Sequence, residues 1–182
     1  MLTPAVTISE AMTDHSERFA DLVREHQAMV FSMACRYLRN RSLAEEIAQD
    51  VFLQLYRKLP TLESPDHIKH WLRSVTAHRL IDHSRQQKRK RESSLPSSQY
   101  DAPEPAAPAD GRDPFLAGTL RNLVAELPAN ARLVMILRYQ EDLDPMDIAQ
   151  ALQMPLATVK SHLQRSLAWM RDRLARKNGV GL

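Results

Sequence analysis

The chain has 182 residues, of which 26% are charged, and Lys and Arg outnumber Asp and Glu by 25 to 22. A net charge of +3 fits neither a polyanionic protein nor a uniformly basic one, so the location of the charge matters more than its sum. One cysteine, Cys35, excludes an internal disulfide, and four glycines among abundant Leu, Ala, Arg and Gln favour helix over sheet. The length suits one or two small domains.

Residues 1–15 carry no basic region followed by an apolar stretch, so they do not read as a signal peptide and are expected to be a flexible N-terminus. No apolar run is long enough for membrane insertion, and a cytoplasmic protein is expected. From Phe19 to Tyr37 one wide apolar stripe (Phe19, Leu22, Val23, His26, Met29, Val30, Met33, Ala34, Tyr37) predicts a helix with Cys35 as a small core residue. A second helix is predicted from Ser42, with Glu45 completing a capping box, to a stop at Pro60. Leu43, Ile47, Val51 and Leu55 form its buried seam. Glu46, Gln49 and Asp50 share one exposed patch by their i, i+3, i+4 spacing. Such a patch can also be an ordinary solvated face.

The third helix, DHIKHWLRSVTAHRLIDHSRQQKRKRES, buries Ile68, Leu72, Val75, Leu80 and Ile81. Trp71 sits beside them, and Arg73, Arg79 and Arg85 alternate with His70, Ser74 and His78 before the run Lys88–Arg91. A basic helix carrying an aromatic is a reasonable surface for phosphates with one stacking residue; the competing reading is a core Trp with a solvated basic tail. Residues 93–114 hold Pro96, Pro103, Pro105, Pro108 and Pro114 with Ser, Ala and Asp, and cannot bury a core. They predict a flexible, mildly acidic linker between lobes at 16–92 and 115–178.

Within the second lobe, Asp144–Arg176 predicts a short helix, a tight turn and a longer basic helix. Asp144 is the N-cap and Pro145 the first helical residue. Ile148, Ala149 and Leu152 face inward, with the small Ala149 allowing a close helix crossing, and Pro155 forces the turn at 153–155. The long helix packs through Val159, Leu163, Leu167, Met170 and Leu174. Thr158, Lys160, Ser161, His162, Gln164 and Arg165 lie outward near its N-terminus, where short or forked hydrogen-bonding side chains suit major-groove readout. A plain helical hairpin with a polar outer face is the alternative. No phosphate-binding glycine loop or nucleophile motif occurs, and His67, His70, His78 and His83 lack the further ligands a zinc site needs. No catalysis, metal or cofactor is expected.

Taken together, these segments resemble the extracytoplasmic-function (ECF) sigma factors of the sigma-70 family. SLAEEIAQDVFLQLYRKL is similar to the family's polymerase-docking helix, and HWLRSVTAHRLIDHSRQQKRKR to its promoter-melting and minus-ten segment. LPANARLVMILRYQEDLDPMDIAQALQMPLATVKSHLQRSLAWMRDRL is similar to its minus-thirty-five-binding domain. The resemblance covers roughly 17–92 and 118–176. It implies an all-α fold: a region 2 helical bundle and a region 4 helix-turn-helix domain joined by the Pro-rich linker. It further implies that Glu46, Gln49 and Asp50 dock on the clamp helices of the core RNA polymerase largest subunit. His70, Trp71, Arg73, Ser74, His78, Arg79, Arg85 and Lys88 would act at the minus-ten element. Thr158, Lys160, Ser161, His162, Gln164 and Arg165 would face the minus-thirty-five element.

Two positions depart from the family pattern. His78 stands where many members carry Asn, near the loop that holds an extruded base, so the captured base stays open. Gln153 stands where many carry Gly, and must either take a left-handed backbone or shift the turn. The family also implies promoter DNA and an anti-sigma factor as partners, and a stress or envelope signal as the trigger. Two other classes compete on the residues alone. An autonomous helix-turn-helix regulator with a sensor or dimerisation lobe would bind duplex without polymerase. A helical adaptor would bind no DNA and leaves the 158–165 face unexplained.

Overall fold

The computed structural model describes residues 4–62, 64–93 and 114–178. Among these the chain is helical throughout, in the order α1 (Pro4–Leu38), α2 (Arg41–Lys58), α3 (Pro65–Ser93), α4 (Pro114–Glu126), α5 (Ala129–Tyr139), α6 (Pro145–Ala151) and α7 (Leu156–Asn178), with one 3-10 turn at Leu59–Thr61. Helix α1 begins inside the stretch expected to be loose. The predicted linker falls almost wholly outside the described residues.

Local chemistry explains the boundaries. Between α1 and α2 the backbone of Arg39 turns left-handed (φ 57°) and Asn40 caps α2, its side-chain oxygen accepting from the Leu43 amide at 2.9 Å. The capping box expected at Ser42 and Glu45 is therefore displaced. Asn40 is the better-placed acceptor for the first free amide, and Glu45 instead takes a bond from Arg41 at 3.1 Å. Helix α2 ends at Lys58, and Pro60 is accommodated in the 3-10 turn that follows. Ser64 accepts from the His67 amide ahead of Pro65, the first residue of α3.

The first lobe packs α1, α2 and α3 around Val30, Met33, Ala34, Tyr37, Val51, Leu55, Leu72 and Leu80, all essentially without solvent contact. Each large aliphatic among them contributes about 1.5–3 kcal/mol by leaving water. In the second lobe Leu123, Leu127, Ala131, Met135 and Met170 form a small core between α4, α5 and α7. The other face of α5 does not stay within its lobe. Leu133, Val134, Ile136 and Leu137 join Leu143, Ile148, Leu152 and Val159 in one continuous core with the first lobe. The sequence predicted two lobes, and the structure docks them, with α5 against α1 and α3, and α6 against α3.

Candidate nucleic-acid interface

The helix-turn-helix is built as its sequence predicts. Asp144 Oδ1 accepts from the amides of Met146 (2.7 Å) and Asp147 (2.9 Å), which fixes the start of α6. The turn is closed by the Met154 amide donating to Ala149 O at 3.0 Å and by Gln153 in the left-handed region at φ 50°. The backbone thus takes the strained option and the turn does not shift. Pro155 O accepts from the Thr158 and Val159 amides, so α7 begins immediately after it. Val159 and Met170 anchor α7, with Leu163, Leu167 and Leu174 partly buried. Buried Ser166 completes the seam; an apolar-pattern reading passes over it because it is polar.

Thr158, Lys160, Gln164 and Arg165 are exposed on the first turns of α7, with Ser161 and His162 half-buried beside them. This leaves two cations and several hydrogen-bonding groups on one convex helix face, next to a helix N-terminus. That combination can read base edges and hold phosphates.

The face of α3 is less open. Trp71 is half-buried and packs against the core, which favours a structural share in its role. His70 is half-buried as well. Arg79 is held within the lobe: with the Gln54 amide oxygen turned toward it, Nε and Nη2 donate at 2.7 and 2.6 Å. Arg73 donates through Nε to Glu141 Oε2 and through Nη2 to Glu141 O, both at 3.1 Å, and Ser74 Oγ donates to Ala151 O at 2.7 Å. Both partners belong to the second lobe. His78 and Arg85 line a cleft of about 350 Å³ between α3 and the α6–α7 turn, opposite Asn130, Leu152, Gln153 and Met154. Arg85 pairs with Asp82 at 3.6 Å, and Lys88, Arg89 and Lys90 are exposed on the last described turns. On α2, Glu46, Gln49 and Asp50 lie together on an exposed face. Glu46 reaches electrostatically toward His83 on α3, whose pKa is pushed below its ordinary 6.5 by burial, a shift that Glu46 opposes and Lys90 reinforces.

Among known proteins, the Sigma-70 region 2 family matches residues 22–90 and the Sigma-70, region 4 family matches 117–170. These two spans coincide with the two lobes. The chain belongs to the sigma-70 family, in its ECF branch. Relatives of this sigma factor include the ECF RNA polymerase sigma factor SigE of Mycolicibacterium smegmatis, 30% identical over 86% of this chain. The chain spans 61% of that relative's length. SigW of Bacillus subtilis is 25% identical over 92% of this chain and 94% of the relative. In fold it is similar to the sigma factor RpoE of Bartonella quintana, solved with the anti-sigma factor NepR (TM-score 0.70, 18% identity, 87% of this chain and 98% of that one). It also resembles CnrH, solved with the cytosolic domain of CnrY (TM-score 0.63, 16% identity, 92% and 94%).

Two residues that organise this sigma factor were not legible beforehand. Arg132 donates from Nη1 to Tyr37 O at 3.0 Å and from Nη2 to Leu127 O at 3.2 Å and to Ala125 O, tying the end of α4 to the end of α1. Its guanidinium also sits 5.2 Å from the Tyr37 ring centroid. Burial pulls its pKa below the usual arginine value, Tyr37 opposes that shift and Arg39 adds to it. Glu141 is the other, its side chain only 7% exposed against Arg73 at 14%. A charged residue just past a helix end normally faces water, and nothing in the sequence marks this one as buried.

Proposed function

We infer that this sigma factor binds core RNA polymerase through the Glu46, Gln49 and Asp50 face of α2, against the clamp helices of the largest subunit. It directs the enzyme to specific promoters and initiates transcription in the cytoplasm. The chemistry of nucleotide addition belongs to the polymerase; this chain supplies promoter choice and strand opening. Helix α3 acts at the minus-ten element, with His70, Trp71, Arg73, Ser74, His78, Arg79, Arg85 and Lys88 as its working set. An extruded base costs a few kcal/mol unless a pocket receives it, which is why a base-capturing surface lowers the cost of melting. Helix α7 enters the major groove at the minus-thirty-five element through Thr158, Lys160, Ser161, His162, Gln164 and Arg165.

The observation that carries this reading is the exposed, hydrogen-bonding first turns of α7, held on buried Val159 behind the Asp144-capped α6. An anti-sigma factor holds the chain inactive until a stress or envelope signal releases it; this reading is supported by the similar fold of RpoE, which was solved in complex with the anti-sigma factor NepR. Polymerase docking is tested by co-purification with core. Glu46→Lys or Asp50→Lys loses assembly while circular dichroism stays unchanged. Undiminished assembly in both variants removes the acidic patch from the interface. A chain that binds duplex specifically without core would instead be an autonomous regulator.

A further inference from the structure

The end of the first lobe away from Pro60 gathers more positive charge than the DNA-facing set on α3 includes. Arg18 Nη2 donates to Leu62 O at 3.0 Å just ahead of α3, and Tyr37 Oη and Ser84 Oγ share a hydrogen bond of 2.8 Å further along. Helices α1 and α3 therefore run in the same direction, and α1 stops at Leu38 while α3 continues to Ser93. Lys88, Arg89 and Lys90 lie about 6–9 Å beyond Ser84 along the helix axis. They are exposed, as are Arg36 in the last turn of α1 and Arg41 at the start of α2, with half-buried Arg39 between those two. Six cations thus share one corner, where Glu45 is tied to Arg41 at 3.1 Å and Glu46 faces His83.

Two observations set this corner apart from an ordinary solvated end. Arg39 holds its backbone at φ 57°, a left-handed conformation that glycine or asparagine takes at lower cost. Like charges also crowd there: Arg39 works against the charge of buried Arg132, and Lys90 against protonation of His83. The negative poles of α1 and α3 offset part of that repulsion. What remains raises the energy of the free protein, and a polyanion reverses it. Among the described residues neither Arg36 nor Arg39 enters an ion pair.

Duplex DNA is the polyanion that fits. The corner continues the line of α3 that carries the minus-ten set from His70 to Lys88. Lys88 lies about 25 Å along α3 from Trp71, about seven base pairs of duplex. Strands part from the minus-ten element toward the start site, so the DNA at that distance on the other side is unmelted. Long cations hold phosphates there and carry no base code. We propose that Arg36 and Arg39, continuing Lys88–Lys90 of α3, form a phosphate-binding corner that grips the duplex between the minus-ten and minus-thirty-five elements whatever its sequence. Its place on the promoter rests on the sigma-factor reading; the grip on duplex is a property of the chain itself.

The test follows the affinity of holoenzyme, and of the full chain alone at low salt, for a fluorescein-labelled promoter duplex across a salt series. The double variant Arg36→Gln, Arg39→Gln is expected to reduce the slope of log affinity against log salt by about 0.9 for each arginine lost. Arg39→Lys restores its share. Arg39→Asn suits the left-handed backbone, keeps or raises the urea midpoint, and still loses its share of the slope. With holoenzyme the loss is equal for all sequences between the two elements and vanishes on fragments cut at the upstream edge of the minus-ten element. The proposal is overturned by an unchanged slope in the double variant, by failure of Arg39→Lys to restore it, by a loss that depends on the intervening sequence, or by a loss that persists on the cut fragments. If the wild-type chain fails to bind core, the sigma-factor reading falls, and the slope measured without polymerase alone upholds or overturns the corner. Absence of duplex binding in both settings overturns it as well.

Discussion

Arg132→Met is the sharpest perturbation of the fold. The thioether keeps most of the aliphatic stem but gives up three bonds to the carbonyls of Tyr37, Ala125 and Leu127. Two of those carbonyls close α4 and one closes α1, so the loss leaves the ends of two helices without their shared donor. Taken at about 1 kcal/mol net each, three bonds amount to a loss of about 3 kcal/mol. Urea unfolding followed by circular dichroism reads it directly. Because Tyr37 O belongs to the first lobe and Arg132 to the second, the substitution lowers the resistance of both to urea. Arg132→Lys carries the charge but not the fork, and recovers less than half of the loss. A cost under about 1 kcal/mol for Arg132→Met, or full recovery by Lys, refutes the argument that the forked geometry ties the two helix ends.

Four further outcomes follow from particular residues. Gln153→Gly places the residue that tolerates φ 50° at the α6–α7 turn and raises stability by about 0.5–1 kcal/mol, measured as a shift of the urea midpoint at constant slope. Asp144→Ala removes the acceptor for the Met146 and Asp147 amides and costs about 1 kcal/mol in the same assay. Arg165→Ala weakens holoenzyme binding by about 1–3 kcal/mol at one position of the upstream promoter element if the guanidinium makes a bidentate base contact; an equal loss across all promoter variants marks a phosphate contact instead. His83 has a folded-state pKa below 6.5, so its neutral form is favoured on folding. Its contribution is complete above pH 6.5 and is lost as pH falls from there through the folded value, and His83→Gln flattens stability against pH in that window.

Much of this architecture is legible in the chain because it is local. Apolar spacing placed most of the seams of α2, α3 and α7, although Ala44 rather than the expected Leu43 is buried at the start of α2; the Asp144–Pro145 pair marked the start of α6, and Pro155 the turn. The exposed sets on α2 and α7 follow from the same periodicities, since a face that does not pack is left to solvent. The displaced cap at Asn40 shows the limit of a motif: Ser42 and Glu45 have capping-box spacing, but the left-handed Arg39 ends α1 one residue before Asn40 and presents its side chain first. What stayed hidden is non-local. Arg73 and Glu141 are 68 residues apart, and each alone is an ordinary surface charge. Leu133, Val134, Ile136 and Leu137 are apolar nearly all round α5, which predicts burial but not that one side of the helix meets the first lobe. That α3 gives Arg73 and Ser74 to contacts with the second lobe is likewise a property of the packed chain.

The central claim is promoter-specific initiation by core polymerase carrying this chain. The direct measurement is run-off transcription with purified bacterial core on a library of promoter fragments, with and without the protein. Transcripts that require the chain and share a two-part upstream element are the expected result, and Arg165→Ala alters the preference at the upstream part alone. Absence of any dependent transcript, together with failure to co-purify with core, contradicts the account.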